Sequence, residues 1–256
     1  NPKHKAKLPT EAELQQMWQQ ALAQPQPLAT EEVLPTSLFK QAPVAAKVIS
    51  ETHADNTYIW RFANGASVWF MPDDQAKEQL SIRWQGLGGT EHLAQDERRA
   101  AQLAARNMAN FGYGGFSAPE LSALNAGYQI RQMPFVSQTR HGIFGSTDTH
   151  SFEVWLQNLN LRLTQPQVDA AIWASKQKMI SRGIENRNTT ADGQFNQAID
   201  AIRYAANPML LPLTEAELAK VTVQDLEQGW QQIFANAADH QLVIVGDEKP
   251  EVVREL

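Results

Sequence analysis

Apolar positions recur with two different periods along the chain, and the change of period divides it. Over residues 9–24, Leu14, Met17, Trp18, Ala21 and Leu22 fall at helical spacing. Pro9 and Thr10 open that stretch, and Glu13, three residues after Thr10, completes a capping-box pattern. Pro25, Pro27, Pro35 and Pro43 then interrupt the chain too often for a regular element. Residues 1–46 therefore read as one amphipathic helix plus a Pro-rich linker that wraps a neighbouring surface, with Leu34, Leu38 and Phe39 available for burial. From Val48 the pattern becomes strand-like. Tyr58, Trp60 and Phe62 alternate, Asn64-Gly65 supplies a hairpin turn, Val68 and Phe70 continue beyond it, and Leu80, Ile82 and Trp84 make a third alternating strand.

Helical spacing returns over residues 95–111, where Ala100, Leu103, Ala104, Asn107, Met108 and Phe111 line one face. Ser117 with Glu120 is a capping box that starts a short helix ending near Gly127. Strand-like stretches at 128–136 and 139–146 come next. The remainder is mostly helix, with one face each from Val168, Ile172, Ser175 and Met179, from Phe195, Ile199, Ile202 and Ala206, and from Val223, Leu226, Trp230 and Ile233. Thr222 with Asp225 caps the last of these, and residues 241–245 close the chain as a strand ended by Gly246 and Asp247. This order predicts an α+β domain over residues 47–256, a mostly antiparallel sheet with helices packed on one face. The βαβα alternation of a dinucleotide fold is absent.

Composition narrows the function classes. A chain of 256 residues, 43% hydrophobic, can bury about three quarters of its unfolded surface without staples. With no cysteine, neither a disulfide scaffold nor a thiolate metal site is available. The formal net charge of -6 argues against a nucleic-acid partner, which favours a basic stripe. No run approaches the roughly 18 apolar residues of a membrane span, so the chain is read as not membrane-spanning. Beginning at Asn1 with no leader pattern, it reads as a processed product or a piece of something longer.

Six histidines, at positions 4, 53, 92, 141, 150 and 240, invite a search for metal motifs. No two stand three to five residues apart, so none can share a helical face around one ion. His150-Ser151-Phe152-Glu153-Val154 supplies the first His and the Glu of H-x-x-E-H, but Val154 stands where the second His must be. His150 is better read beside a helix start, with Glu153 in its first turn. His92, near Glu91, Asp96 and Glu97, reads as part of a solvated turn. His141 reads as a surface or half-buried strand position, the alternative being a general base, for instance with Glu153 in a self-contained hydrolase. The clusters Gly86-Leu87-Gly88-Gly89 and Gly112-Tyr113-Gly114-Gly115 fit neither a P-loop nor G-x-G-x-x-G, and read as tight connections or as places where a peptide backbone approaches. An exposed edge of the sheet could also take a peptide as an added strand.

The order of these motifs resembles a known family. Asn64-Gly65-Ala66-Ser67-Val68-Trp69-Phe70, then Ser81 to Gly89 with Glu91, then a helix running into Gly112-Tyr113-Gly114-Gly115-Phe116-Ser117-Ala118-Pro119-Glu120-Leu121, is similar to the M16 (pitrilysin and insulinase) zinc metallopeptidases. Pro212-Leu213, Thr222, Asp225-Leu226 and Leu242-Val243-Ile244-Val245-Gly246-Asp247 look like the end of such a domain. The resemblance covers about residues 46 to 248. It implies the LuxS/MPP-like metallohydrolase fold, in an enzyme of two homologous halves enclosing a chamber, with zinc held by H-x-x-E-H in the first half alone.

Matching Gly112 to the glycine after that motif places its positions on Leu103, Arg106 and Asn107. Two His ligands and the catalytic Glu would thus be lost, and an Arg cannot accept a proton from zinc-bound water. The resemblance therefore implies a non-catalytic domain of the second half, with no metal or catalytic residue in this segment and zinc in the N-terminal half of the parent enzyme. Its implied partners are that half, a following C-terminal domain and a peptide substrate, and its implied compartment is the bacterial cell envelope or periplasm, with the cytoplasm as the alternative. A protein that has kept the fold for assembly or peptide binding and lost catalysis is the competing reading. Gly112, Tyr113, Gly114, Gly115 and Phe116 are the expected substrate-contacting loop, and a bulky residue at Gly114 is expected to impair turnover more than folding.

Overall fold

The computed structural model describes residues 9–23, 35, 37–39, 43–207, 210–236, 238 and 240–256. Contacts divide the chain into two compact units, Asn1–Leu34 and Pro35–Leu256. In the first, helix α1 (Glu11–Ala23) begins as its sequence predicts: the Thr10 backbone N–H donates to Glu13 at 2.7 Å and the Glu13 N–H donates to the Thr10 hydroxyl at 3.4 Å. Leu34 and most of the Pro-rich stretch lie outside the described residues.

The second unit runs β1 (Val48–Ala54), β2 (Thr57–Phe62), β3 (Ser67–Pro72), β4 (Gln79–Leu87), α2 (Gln95–Asn107), β5 (Gly112–Tyr113), α3 (Ala118–Leu124), β6 (Arg131–Val136) and β7 (Arg140–Asp148). It continues with α4 (Phe152–Thr164), β8 (Pro166–Gln167), α5 (Ala170–Thr189), α6 (Ala191–Arg203), α7 (Glu215–Lys220), α8 (Val223–Phe234), β9 (Gln241–Gly246) and α9 (Pro250–Glu255). Seven strands form one sheet in the order β1-β2-β3-β9-β4-β7-β6. Every neighbouring pair is antiparallel except β3 with β9. The α+β class and the mostly antiparallel sheet are as predicted.

Alternation sets the two faces of the sheet. On β4, Leu80, Ile82 and Trp84 are buried while Ser81, Arg83 and Leu87 are exposed. Trp84 stacks near Phe234 of α8 at 6.1 Å, so α8 covers the inner face, and α2 packs against α8. All six residues predicted to line the face of α2 and its extension, from Ala100 to Phe111, are buried. Leu38 joins Tyr113, Phe116, Leu121 and Leu161 in a smaller cluster beside the main core. Its burial fits the expectation that this part of the chain has apolar groups to hide.

Four strands precede α2, where the alternation shows three. The stretch from Val48 is a hairpin turned at Asp55 and Asn56, with Asp55 at φ 52°, a left-handed value that aspartate tolerates better than most side chains. Strand β1 lies at a sheet edge with most of its side chains exposed, so selection for burial leaves no alternating signal there. Helix α9 also escapes the pattern, being six residues long and started by Pro250.

Candidate functional site

Leu103, Arg106 and Asn107, the positions matched to the zinc motif by sequence, all lie on helix α2 or at its end. Leu103 is buried and offers no donor atom. The Asn107 side-chain amide donates to the Leu103 carbonyl at 2.8 Å, closing back onto its own helix. Arg106 is exposed and offers hydrogen-bond donors only. Among the described residues, no group of three or more His, Cys, Asp or Glu is placed to hold a metal ion. The donor set at 103, 106 and 107 therefore does not fit zinc.

These positions open instead onto a cavity of about 650 Å³ between α2, α5 and residues 210–213. Three arginines line it, Arg99, Arg106 and Arg187, over a floor that includes Leu103, Ile180 and Ile184, and none of its described lining residues is acidic. The arginines also build the wall. Arg99 donates to the Leu211 carbonyl at 2.8 Å and to Glu217 at 3.0 Å, and Arg187 donates to the Leu213 carbonyl. Burial pushes the Glu217 carboxyl up, but bonds from the Thr214 backbone N–H, Arg99, the Thr214 hydroxyl and Gln95 outweigh it and hold the group at about 2. The Arg99–Glu217 pair thus stays ionised and ties α2 to α7.

The glycine-rich loop is partly built into the fold. Gly112 and Tyr113 form β5 and pair with β8. Tyr113 and Phe116 turn inward, Gly114 is half-buried, and Gly115 is exposed. Gly114 sits at φ 66°, and a Cβ there would lie 2.9 Å from Leu161 Cδ1. A bulky residue at Gly114 is therefore strained in the fold itself, so its expected effect on turnover comes with a cost in folding. The Tyr113 ring reaches a polar group on α4: its hydroxyl donates to Asn158, which exchanges amide bonds of 3.0 Å with Asn125, and its face lies 4.5 Å from the Arg162 guanidinium.

Arg162 is the residue that sequence reading missed. It is 7% exposed. A signal was present, because Phe152, Trp155, Leu159 and Arg162 follow one another at steps of three and four along α4, which puts a charge in the apolar stripe.

The histidines divide between surface and core. His53 stacks on Tyr58, His92 lies 3.4 Å from Glu91, and His150 stacks on Tyr128 beside the start of α4. His4 lies outside the described residues. His141 is not a surface position: it is 6% exposed, and its Nε2 lies 2.8 Å from His240 Nε2 while its Nδ1 donates to the Gly88 carbonyl at 2.7 Å. Burial pushes its pKa down, opposed by the Gly88 carbonyl. Glu153, the suggested partner in a self-contained hydrolase, is exposed and accepts from Gln157 instead. With both ring nitrogens engaged, His141 is a packing group, not a poised base. Gly86 makes room for the pair, since a Cβ there would lie 2.4 Å from His240 Nε2.

No protein-family model matches the chain. Over 207 residues it is 26% identical to the probable zinc protease PqqL of Escherichia coli (strain K12), covering 81% of this chain and 22% of PqqL. The crystal structure of the periplasmic protease PqqL from Escherichia coli matches with a TM-score of 0.78 at 22% identity, over 97% of this chain and 28% of that one. The first half of the same protease matches less well, with a TM-score of 0.62 at 14% identity over 82% of this chain and 46% of that one. A peptidase M16 inactive domain from Pseudomonas fluorescens gives a TM-score of 0.62 at 15% identity, over 78% of this chain and 48% of that one. The likeness to M16 peptidases read from the motifs is borne out, and the chain spans between a fifth and a third of the PqqL length.

Proposed function

We propose that this chain is a non-catalytic domain of a larger M16-type zinc metallopeptidase. In that enzyme a zinc-bearing N-terminal half hydrolyses the peptide bond, and this segment helps enclose the peptide and keep bulk water from it. The observation that carries the reading is α2, which keeps its place in the fold while Leu103, Arg106 and Asn107 supply neither ligands nor a base. The closer match to whole PqqL than to its first half supports a place in the second half. Residues 1–46 then join the halves, and a further domain follows residue 256. Gly115, the exposed tip of the 112–116 loop, and the arginine-lined cavity are the surfaces offered to peptide. By the same likeness the compartment is the periplasm. No helix among the described residues is long and apolar enough to cross a membrane.

The purified protein, assayed for bound zinc by elemental analysis and for cleavage of a quenched fluorescent peptide, tests this reading. The expected result is neither stoichiometric zinc nor chelator-sensitive cleavage, with cleavage returning in the full-length protein. One zinc per molecule, or cleavage stopped by a chelator, overturns it. An assembly or peptide-binding protein without catalysis is the second reading, favoured by the exposed apolar side chains Phe195, Ile199 and Ile202 on α6, which offer a face for a partner. The gene upstream of Asn1 separates the two, since H-x-x-E-H with a downstream Glu belongs to the first and its absence to the second.

A further inference from the structure

Two small cavities open beside the 112–116 loop, of about 200 and 350 Å³, and both are lined by Ala109, Tyr113, Ser122, Asn125 and Arg162. None of their described lining residues is acidic. Arg162 is nine-tenths buried, and no ion pair neutralises it among the described residues. Of its five N–H groups, two donate to neutral oxygens, the Gln132 amide and the Met108 carbonyl, each at 3.2 Å, and the Tyr113 ring covers one face.

A guanidinium at this depth stays charged, although burial pushes its pKa down against the opposing pull of Tyr113. Desolvating a cation without an anion is unfavourable. The neighbouring Asn158, Asn125 and Tyr113 groups satisfy one another and add no negative charge. A cationic fork at the back of an open pocket, with Ser122 and Tyr128 at its exposed rim, is what an incoming anion requires.

We propose that Arg162 is the anchor of a carboxylate-binding site, and that its ligand is a carboxylate carried by a peptide. One buried cation matches one monoanionic group. The aromatic and aliphatic walls from Phe111, Tyr113, Tyr128 and Ile130 suit the carbon skeleton that bears it, whereas a phosphate dianion would call for more than one cation. The choice of a peptide as carrier rests on the reading of the protein as a peptide-enclosing domain. The carboxylate itself rests on Arg162 alone. The free C-terminus of a peptide and the side group of an Asp or Glu within it present the same chemistry.

Calorimetric titration of the 256-residue protein with two matched pairs of probes tests the proposal. The first pair is acetyl-Ala-Ala-Phe as free acid and as amide, and the second is acetyl-aspartate amide against acetyl-asparagine amide. The expected result is at least a tenfold tighter Kd for the acid in one pair or both, the first marking a terminal carboxylate and the second a side-group one. In Arg162→Met the difference should fall within twofold. Arg162→Lys, which keeps the charge, should retain part of it if the methionine variant fails to fold. A second readout needs no variant: the Arg162 Nε–H and Tyr113 ring NMR signals should shift with the acid and not with the amide. Equal affinity within both pairs, no binding of any probe at millimolar concentration, or discrimination that leaves those signals unmoved, overturns the proposal. None of these outcomes bears on zinc binding or cleavage, so the domain's non-catalytic role stands or falls separately.

Discussion

Helices α8 and α6 look alike as sequence and end in opposite environments. Each is capped by a threonine, Thr222 and Thr190, and each places apolar residues three and four apart. On α8, Leu226 and Trp230 are wholly buried. On α6, Phe195 is 66% and Ile202 77% exposed. The difference lies in what each helix is laid against. Helix α8 sits on the sheet and on α2, and Gly229 lets the two helices close up, because a Cβ there would lie 2.7 Å from the Ala101 nitrogen. Helix α6 folds back on α5 through Thr190, with Gln197 donating to the Arg187 carbonyl, and presents the rest of its apolar face outward. Amphipathic spacing states that a face seeks cover. It does not state that the same stretch of sequence supplies it.

The largest test of this contrast is Trp230→Ala, expected to destabilise the protein by about 3–5 kcal/mol in urea unfolding, since a wholly buried indole leaves a cavity. A loss under 1 kcal/mol would erase the distinction from α6. Next comes Gly229→Ala. Helix propensity alone favours alanine by about 1 kcal/mol, yet the forced separation of α2 and α8 should leave a net loss of about 1–2 kcal/mol. A stabilised variant would show that the helices do not meet so closely.

Glu217→Gln probes the tie between α7 and α2 through pH. The carboxyl is held at about 2 against a usual 4.5, so its contribution is complete above pH 4.5 and is lost as pH falls toward 2. The wild-type unfolding free energy should drop by about 1–2 kcal/mol more than that of the variant across this window, less than the full linkage value because solvent reaches the pair. Parallel curves would show that Glu217 has no special tie. The smallest effect belongs to Phe195→Ser on α6, expected within about 0.5 kcal/mol of wild type by the same measurement. A loss above 1 kcal/mol would mean that Phe195 is buried in solution.

Local periodicity made much of the fold legible. Strands β2, β3 and β4, the inner face of α2 and the capping boxes at Ser117 and Thr222 all follow from residues within one or two turns of each other. What escaped depends on distance in sequence or on the lack of burial. Strand β1 is polar because its edge position demands nothing else, and the His141–His240 contact joins residues 99 apart. That Leu103, Arg106 and Asn107 share one helix was legible, but the arginine-lined cavity they border was not, because two of its walls come from α5 and residues 210–213. Arg162 lay in plain view as a charge in an apolar stripe, and only the tertiary fold shows that no carboxylate among the described residues meets it.

Strand β9 governs how the molecule assembles. It lies between β3 and β4, which follow one another in sequence but do not pair with each other. Before residues 241–246 are available, any ribbon formed by β1–β2–β3 and any formed by β4–β7–β6 is left with an unpaired strand at the gap. Neither ribbon can be sealed to the other until residues 241–246 have emerged, roughly ten seconds or more after β3 at ordinary rates of synthesis. During that interval the open flanks of β3 and β4 are templates for the wrong strand. Joining them demands contacts spanning more than 150 residues, a topology that folds slowly. Successful maturation of this domain is therefore a race between late strand insertion and capture of an open ribbon, and the balance should respond to translation speed and to chaperones that shield strand edges.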